Sequence, residues 1–376
     1  MEKKNSFLNA TVIGIASTWF GMHCGSGFAT GTQYIIYYNK YGWLALITPI
    51  LTWLLVSTCF YFMFEYTRQI KGTSYKDYAN TVFIKKIGIV FVVLFDLTCV
   101  FGQILGEAGI LAGSGSLFEQ SGLSYTLGVL IAGGIVLLMA IFGAKAIMKI
   151  SSYLTAGLIV CIVILGFVGV TKNWANFSDV IANHRNDGGT FWDAVKSAFT
   201  YSGVQITSFF ALSGLCGQLS SSKDTGKAAL VGGVLNLVML EILGLVMISS
   251  YPTINSETLP VLAALTALNI PVLTFLYKVM LFLALITTGA GCAFAIVTRF
   301  KGYVVKWFKC NETVASAIIA VVLMSIGFFG SKFGLVAVFS KGYGYLSKLS
   351  WPLLILPALI LVPIRLQQMK KAGSAE

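Results

Sequence analysis

The chain has 376 residues, of which 57% are hydrophobic and only 11% are charged, and its mean hydropathy is +0.83. These values exclude an ordinary soluble globule, because apolar runs of roughly 20 residues match the hydrocarbon core of a bilayer. The formal net charge of +12 does not indicate nucleic-acid binding, since membrane proteins concentrate Lys and Arg in cytoplasmic loops that face anionic lipid. The sequence therefore predicts a polytopic membrane protein with no soluble domain.

Ten apolar segments are candidate membrane spans, which we number 1 to 10. Both termini then lie on one side, together with most of the 26 Lys and Arg residues. The positive-inside rule predicts that both termini are cytoplasmic and that the protein lies in the cytoplasmic (inner, plasma) membrane. The segment Phe333 to Phe339 is too short to span and is predicted to be a surface helix before span 10. The predicted spans cover about residues 7–38, 41–69, 86–113, 123–143, 149–171, 190–218, 227–251, 270–300, 313–330 and 350–367.

Span 1 contains small residues where a membrane helix should be most regular. Gly25, Ser26 and Gly27 stand in the middle of this span. Glycine inside a helix costs up to about 1 kcal/mol relative to alanine, and backbone freed at membrane depth occurs only where it is buried in protein or lines a wet cavity. The motif predicts a broken helix at a ligand site, with a half-helix from Phe28 directing free N–H groups at an anion. The alternative is a small-residue packing face between helices.

Span 6 contains a similar segment at mid-membrane, Phe199-Thr-Tyr-Ser-Gly-Val-Gln205. Spans 1 and 6 each open a group of five spans, residues 1–171 and residues 172–376 with a cytoplasmic C-terminal tail. Because five is an odd number, the two groups are inverted in the membrane. Interrupted segments at corresponding positions of inverted halves are the best sequence indicator of a secondary transporter's binding site. The predicted fold class is therefore all-α, with a 5+5 inverted repeat and broken helices 1 and 6.

The run Gly25-Ser-Gly-Phe-Ala-Thr-Gly31 followed by Gln33, and the span 6 pattern, resemble the amino acid–polyamine–organocation (APC) superfamily. Within it, they resemble the YkvI-like candidate amino acid permeases. The resemblance covers nearly the whole chain in length and span number, although only the two broken helices and part of span 8 carry specific motifs. It implies a LeuT-type fold and a secondary transporter of an amino acid or a related small zwitterion, working by alternating access.

The resemblance also implies where the substrate is held, at the breaks in spans 1 and 6. The main chain of the span 1 motif would bind the substrate carboxylate, and carbonyl groups at the span 6 break would face its amino group. Neighbouring side chains would set the selectivity. The implied carboxylate site is Gly25, Ser26 and Gly27, the implied carbonyls are those of Tyr201, Ser202 and Val204, and the implied selectivity residues are Phe28, Phe199 and Gln205.

Span 8 carries two adjacent hydroxyl residues in an otherwise apolar helix, Leu283-Ala-Leu-Ile-Thr-Thr288. Sodium-coupled members of the resembled fold complete a cation site with span 8 hydroxyls and span 1 carbonyls, so the resemblance implies sodium coupling. A membrane-helix threonine more often bonds its own backbone or joins two helices, and a proton remains the alternative coupling ion. The implied sodium ligands are Gly21, Cys24, Ala284, Thr287 and Thr288.

Ionisable side chains inside membrane spans are functional candidates by default. Asp96 and Glu107 lie on one stripe of span 3, and Glu241 lies near the middle of span 7. Lys278 enters span 8 at a depth like that of Glu107, so the two either form a gate or a structural pair that lowers the cost of both charges. His23, beside the predicted break, either senses a proton, contacts substrate or only bonds a carbonyl. All five are predicted coupling or gating residues.

Other function classes find less support in the sequence. A channel requires a continuous polar stripe, and an intramembrane enzyme requires a nucleophile with its base or a metal cluster. The chain has two histidines, no HExxH and no serine in a GxSxG context, so we expect no enzyme activity, no bound cofactor other than the coupling ion, and no nucleic-acid partner. A proton-coupled carrier of an organic cation or amine, and a sensor that binds an amino acid without moving it, remain alternatives.

Overall fold

The computed structural model describes residues 9–23, 26–83, 85–142 and 145–373, and every regular element in these ranges is helical. Six of the described helices are long and apolar enough to cross a membrane, and a bent pair, Ile159–Lys172 with Trp174–Ala182, is a seventh candidate. Spans 1 to 5 are Ala10–His23 with Ser26–Thr30 and Thr32–Tyr37, Thr48–Gln69, Lys85–Glu119, Tyr125–Phe142 and Lys145–Lys172. Spans 6 to 10 are Phe191–Gln205 with Phe209–Cys216, Ser222–Ser249, Pro271–Phe308, Glu312–Ser331 and Leu335–Lys371. Shorter helices join them at Asn39–Leu46, Tyr75–Val82, Thr253–Ser256 and Pro260–Ala267.

Local capping signals fix where several spans begin. Thr190 and Asp193 form a capping box at the start of span 6, in which each side chain accepts the other's backbone N–H. The side chains of Ser221 and Asn311 accept backbone N–H groups at the starts of spans 7 and 9. Pro271 opens span 8, where the missing N–H would have had no helical partner. These caps satisfy backbone donors that the first turn of a helix leaves unpaired.

The spans pack into two groups. Spans 1, 2, 6 and 7, which we call the bundle, contribute aromatic residues including Trp19, Trp53 and Phe209 to a large core that also takes in residues of spans 3, 5, 8 and 10. Spans 3, 4, 8 and 9, which we call the scaffold, share a second core of aliphatic residues such as Val136 and Leu323. Span 10 packs against span 6, and span 5 packs against spans 7 and 8. The two interrupted spans therefore belong to the same group.

Span 1 turns at a second point that the sequence did not indicate. The five-residue helix Ser26–Thr30 ends at Gly31, whose φ of 80° is in the left-handed region. A Cβ atom at this position would lie 2.8 Å from the Val261 side chain, so both conformation and space require glycine. The short helix Thr32–Tyr37 follows. Cys24 and Gly25, at the predicted break, lie outside the described residues.

Span 6 is interrupted later in the chain than expected, and the expectation of a separate surface helix before span 10 is wrong. The span 6 segment from Phe199 to Gln205 is helical, and the helix only tightens to a 3₁₀ turn at Ile206–Ser208, where Thr207 and Ser208 hydroxyls bond carbonyls three residues earlier. Residues 335–339 belong to span 10 itself. That helix contains three π-helical stretches, two of which include a proline, and such wider turns accommodate the missing proline N–H.

Candidate functional site

The polar residues nearest the interruption of span 1 form a hydrogen-bonded chain through the bundle. His23 Nδ1 lies 2.7 Å from Asn236 Oδ1, and His23 Nε2 lies 2.8 Å from the Tyr201 hydroxyl. That hydroxyl lies 3.0 Å from Gln33 Oε1, while Asn236 Nδ2 donates to the carbonyl of Gly232 at 2.8 Å. We call His23, Tyr201, Gln33 and Asn236 the His23 chain. All four are buried, and they join both halves of span 1 to spans 6 and 7.

The donor and acceptor roles in this chain depend on one another. Asn236 uses its N–H₂ group on Gly232, so its oxygen accepts from His23, which must carry a proton on Nδ1. Tyr201 has one hydroxyl proton and two neighbours that accept it, His23 Nε2 and Gln33 Oε1. A change at one residue therefore changes what its neighbours can offer to a ligand.

Aromatic rings surround the chain. The His23 ring centroid lies 4.8 Å from that of Trp53 and 5.4 Å from that of Phe28. The Tyr201 ring lies 5.0 Å from Tyr37 and 5.4 Å from Tyr38. Such walls hold an apolar or planar group by stacking, and the faces of the rings also attract cations.

Four of the predicted substrate residues come together at this chain. Phe28 contacts His23, and Tyr201 takes part through its hydroxyl. The side chain of Gln205 also faces the Tyr201 hydroxyl. Gly27 lies against Gln33, since a Cβ atom added to it would be 1.9 Å from the Gln33 Cδ. Ser26 begins the short second helix, and Gly25 lies outside the described residues.

The predicted span 6 carbonyls do not face a free space. The Ser202 carbonyl accepts the Ile206 N–H, and the Val204 carbonyl accepts the Thr207 hydroxyl at 2.7 Å. The carbonyl of Phe199 accepts the Trp351 indole N–H at 3.1 Å, and its ring faces the same tryptophan in span 10. These carbonyls are engaged because the helix continues through the segment that was expected to open.

The predicted sodium ligands on span 8 bond their own helix. The hydroxyls of Thr287 and Thr288 both donate to the Ala284 carbonyl, at 3.0 and 2.9 Å. This is the local bonding alternative, although each hydroxyl oxygen keeps lone pairs that a cation can share. Gly21 lies in the last turn of the first half of span 1, and Cys24 lies outside the described residues.

Asp96 joins three elements on the predicted cytoplasmic side. Arg299 of span 8 donates to its carboxylate, with an Nε to Oδ1 distance of 2.9 Å, and the hydroxyl of Tyr75 donates to the same oxygen. Tyr75 also contacts Phe210 in the second half of span 6, at 4.5 Å between ring centroids. We call Tyr75, Asp96 and Arg299 the cytoplasmic latch. Sequence reasoning missed Tyr75 and Arg299, although an arginine inside a predicted span is a usable signal.

Glu107 is fully buried in the scaffold, and both carboxyl oxygens lack a hydrogen-bond partner among the described residues. Its neighbours are Gly289, Gly327 and Cys292. Lys278 lies about three helical turns before Gly289 on the same span, so the hypothesised pair with Glu107 is not formed. Glu241 is half-buried in span 7, and its Oε1 also has no partner in the described part of the chain.

A cavity of about 340 Å³ lies over the second half of span 1, on the side predicted to be external. Its lining comes from spans 1 and 10 and from the loop between spans 7 and 8. No local pattern in the sequence indicated this cavity, because these segments are distant in the chain. Polar and charged lining residues are Thr32, Lys40, Asn255, Ser256, Glu257 and Ser340.

Comparison with known proteins finds one curated relative and several solved structures that are similar to this chain. No family model matches the chain. It is 23% identical over 340 residues to YkvI, an uncharacterized membrane protein of Bacillus subtilis (strain 168), covering 89% of this chain and 92% of that one. Among solved structures, it is similar to MhsT in complex with L-phenylalanine, with a TM-score of 0.63 and 13% identity over 94% of this chain and 96% of that one.

Two further structures have the same fold. Mhp1 in its inward-facing conformation has a TM-score of 0.63 at 15% identity, covering 96% of this chain and 80% of that one. The manganese transporter of Eremococcus coleocola has a TM-score of 0.60 at 12% identity, covering 96% of this chain and 81% of that one. These likenesses confirm the predicted fold class, an all-α polytopic membrane protein of LeuT type, and agree with the resemblance seen in the sequence.

Proposed function

We propose that the protein is a secondary active transporter of an amino acid or a related small zwitterion, coupled to sodium. The observation that carries this proposal is the His23 chain, a set of buried polar groups where the two interrupted spans meet, walled by aromatic rings. Buried polar groups inside a membrane protein are expensive and are usually retained for function. The likeness to MhsT, Mhp1 and the manganese transporter supports the same conclusion.

The substrate carboxylate binds the main chain around Gly25, Ser26 and Gly27. The helix that begins at Ser26 has only five residues, so local N–H groups contribute more than a helix dipole. The substrate side chain packs among the rings that surround His23. Carbonyls of Ser202 and Val204 become available to the amino group only when span 6 loosens at its 3₁₀ turn.

Alternating access moves the bundle relative to the scaffold. In the form described here, a cavity is present on the predicted outer side, and the cytoplasmic latch joins span 6 to the scaffold on the other side. Sodium bound by Thr287, Thr288 and Ala284 together with the carbonyls of Gly21 and Cys24 would tie span 8 of the scaffold to span 1 of the bundle. Such a tie favours one state of the carrier over the other.

Uptake into proteoliposomes tests the proposal. We expect concentrative uptake of at least one L-amino acid, with L-phenylalanine as the first probe, when an inward sodium gradient is present. Protein-free vesicles and the variant Gly27→Val are the controls, since a branched side chain blocks the main chain and overlaps Gln33. Binding without uptake would instead indicate a sensor, and uptake driven by a proton gradient alone would indicate a proton-coupled carrier. Uptake of a quaternary amine in preference to amino acids would favour an organic-cation carrier.

A further inference from the structure

The side-chain amide of Gln33 lies directly on the main chain of Gly27. A Cβ atom added to Gly27 would be 1.9 Å from Gln33 Cδ and Nε2 and 2.3 Å from Oε1, so the plane of the amide covers the space that any side chain would need. Gln33 itself is only 6% exposed. This space is where the proposed function puts the substrate carboxylate. The amide therefore occupies a position that a ligand would take.

Only one end of this amide is held. Oε1 accepts the Tyr201 hydroxyl at 3.0 Å, and Nε2 donates no hydrogen bond within the described residues. Nε2 is not among the fully buried atoms that lack a partner, so this end of the amide borders accessible space. A half-satisfied amide on a glycine main chain is explained if the position is shaped for another group. An amide and a carboxylate are both planar with three heavy atoms, and each offers an oxygen to Tyr201.

The backbone beside Gln33 provides a means of release. Gln33 belongs to the six-residue helix Thr32–Tyr37, which follows Gly31 with its left-handed φ of 80°. Short elements that begin at a glycine can change direction through few dihedral angles. Moving the whole helix would also break the bonds from the hydroxyls of Thr32, Tyr34 and Tyr37 to the carbonyls of Thr258, Ala45 and Phe339. Rotation of the Gln33 side chain alone breaks one hydrogen bond within the described residues, that to Tyr201, and is therefore the easier route of release.

We propose that the Gln33 amide is an internal occupant of the substrate site, which a ligand carboxylate displaces from Gly27. This inference rests on the proposed function and deepens it, since it assigns the ligand class at this position to planar carboxylates and assigns Gln33 a role in specificity. Displacement frees the Gly27 main chain and the Tyr201 hydroxyl together. A ligand that lacks a planar anionic group cannot take the place of the amide between the Gly27 main chain and the Tyr201 hydroxyl.

A stability cycle tests whether the amide lies on Gly27 in solution, without any ligand. We expect Gly27→Ala to lower the Tm of the parent in detergent, because the new methyl group overlaps Gln33. In a Gln33→Ala background the same change should lower the Tm much less. Equal effects in both backgrounds would show that the amide does not cover Gly27 and would overturn the inference.

A binding experiment tests displacement. The probes are L-phenylalanine and its carboxamide, within a wider panel of L-amino acids, titrated into the parent, Gln33→Ala, Gln33→Glu and the control Gln103→Ala in span 3. We expect Gln33→Ala to bind carboxylate probes about 3–10-fold more tightly, because one neutral hydrogen bond no longer competes. Gln33→Glu should bind them more weakly, since a tethered carboxylate competes better, and Gln103→Ala should match the parent.

The outcomes separate this inference from the proposed function. Weaker or unchanged binding by Gln33→Ala, in a protein that shows sodium-driven uptake, would overturn the inference alone, since Gln33 would then be a ligand of the substrate or lie outside its site. Absence of both binding and uptake across the panel would overturn the proposed function and the inference with it.

Discussion

Two buried sites, the His23 chain in the bundle and Glu107 in the scaffold, differ in whether their polar groups have hydrogen-bond partners. In the bundle, each member of the His23 chain has at least one hydrogen-bond partner. In the scaffold, Glu107 is equally buried and neither of its oxygens has a partner among the described residues. A buried polar group without a partner costs free energy, and a buried charge costs far more. The His23 chain therefore holds a defined arrangement, whereas Glu107 carries an uncompensated cost in this form. The contrast applies to these two sites, since the bundle also contains unpaired buried atoms, the indole nitrogens of Trp19 and Trp53 and Glu241 Oε1.

The difference follows from the neighbouring residue types. Imidazole, hydroxyl and amide groups both donate and accept, so His23, Tyr201 and Asn236 can complete one another. Glu107 meets Gly289, Gly327 and Cys292, which let helices approach closely but offer at most a weak thiol donor. Close helix packing suits the scaffold to remain rigid in the proposed alternating-access movement.

The largest expected effect concerns sodium, which in the proposed function binds between the bundle and the scaffold. In the parent, we expect sodium to change substrate affinity by roughly 5–150-fold, and Thr287→Val with Thr288→Ala to remove that dependence. The hydroxyls belong to the scaffold and the proposed carbonyl ligands to the bundle, so their loss should weaken sodium more than substrate. Substrate titrations at several sodium concentrations and two pH values measure both. A parent that responds to pH and not to sodium would move the coupling to a proton at Glu107, Glu241 or His23.

The second prediction tests whether the His23 chain stabilises the bundle. His23→Leu leaves Asn236 Oδ1 without its partner, while the Tyr201 hydroxyl can still donate to Gln33, so the free energy of unfolding should fall by about 1–3 kcal/mol. Unfolding in detergent measures the loss. His184→Asn is the matched control, because His184 is exposed and has a φ of 49° that asparagine tolerates. Equal stability of the two variants would mean that the His23 chain does not hold the bundle together.

In the scaffold, we expect a substitution of Glu107 to raise the free energy of unfolding. Glu107→Leu removes two oxygens that have no partners in the described residues and fills a similar volume, so we expect the free energy of unfolding to rise by about 1 kcal/mol. Glu119→Leu, at the exposed end of the same helix, controls for added hydrophobicity. A loss as large as that of His23→Leu would show that Glu107 has stabilising partners in the folded protein, and the contrast between the two sites would disappear.

The smallest expected effect compares two tyrosines on the short helix Tyr75–Val82, one with a hydrogen-bond partner and one without. Tyr75→Phe removes a donor to Asp96, which keeps its ion pair with Arg299, so we expect a loss of about 0.5–1.5 kcal/mol. Tyr78→Phe removes a buried hydroxyl without a partner in the described part of the chain and should cost nothing. Parallel unfolding curves of the two variants measure the difference. A larger loss for Tyr78→Phe would contradict the hydrogen-bond assignment on this helix.

The sequence indicated several site residues but not their hydrogen-bond partners. Glycines at membrane depth indicated Gly27, and position beside the motif indicated His23 and Phe28. The bond between Tyr201 and Gln33 joins residues 168 positions apart, and that between His23 and Asn236 joins residues 213 apart. No local pattern encodes such pairs, because they depend on how whole spans pack.

The hypothesised pair of Lys278 and Glu107 shows why the sequence does not give the membrane depth of a residue in a long helix. Depth was counted inward from the ends of predicted spans, on the assumption that each span matches the membrane thickness. Span 8 has 38 residues and is roughly 57 Å long, almost twice the hydrocarbon core, so its ends do not mark the membrane surfaces. Position along such a helix becomes meaningful only when its neighbours are known.

Local sequence features were enough to predict the membrane class and the approximate limits of most spans. Predicted span 7, residues 227–251, corresponds to Ser222–Ser249, and predicted span 9, residues 313–330, corresponds to Glu312–Ser331. These features follow from hydropathy and capping, which depend on neighbours in the chain. Three other features are visible only in the folded chain: span 6 stays helical through Gln205, span 10 begins at Leu335, and Gln33 covers Gly27. Each depends on contacts between distant segments, such as the Tyr37 hydroxyl that donates to the Phe339 carbonyl within a π-helical stretch of span 10.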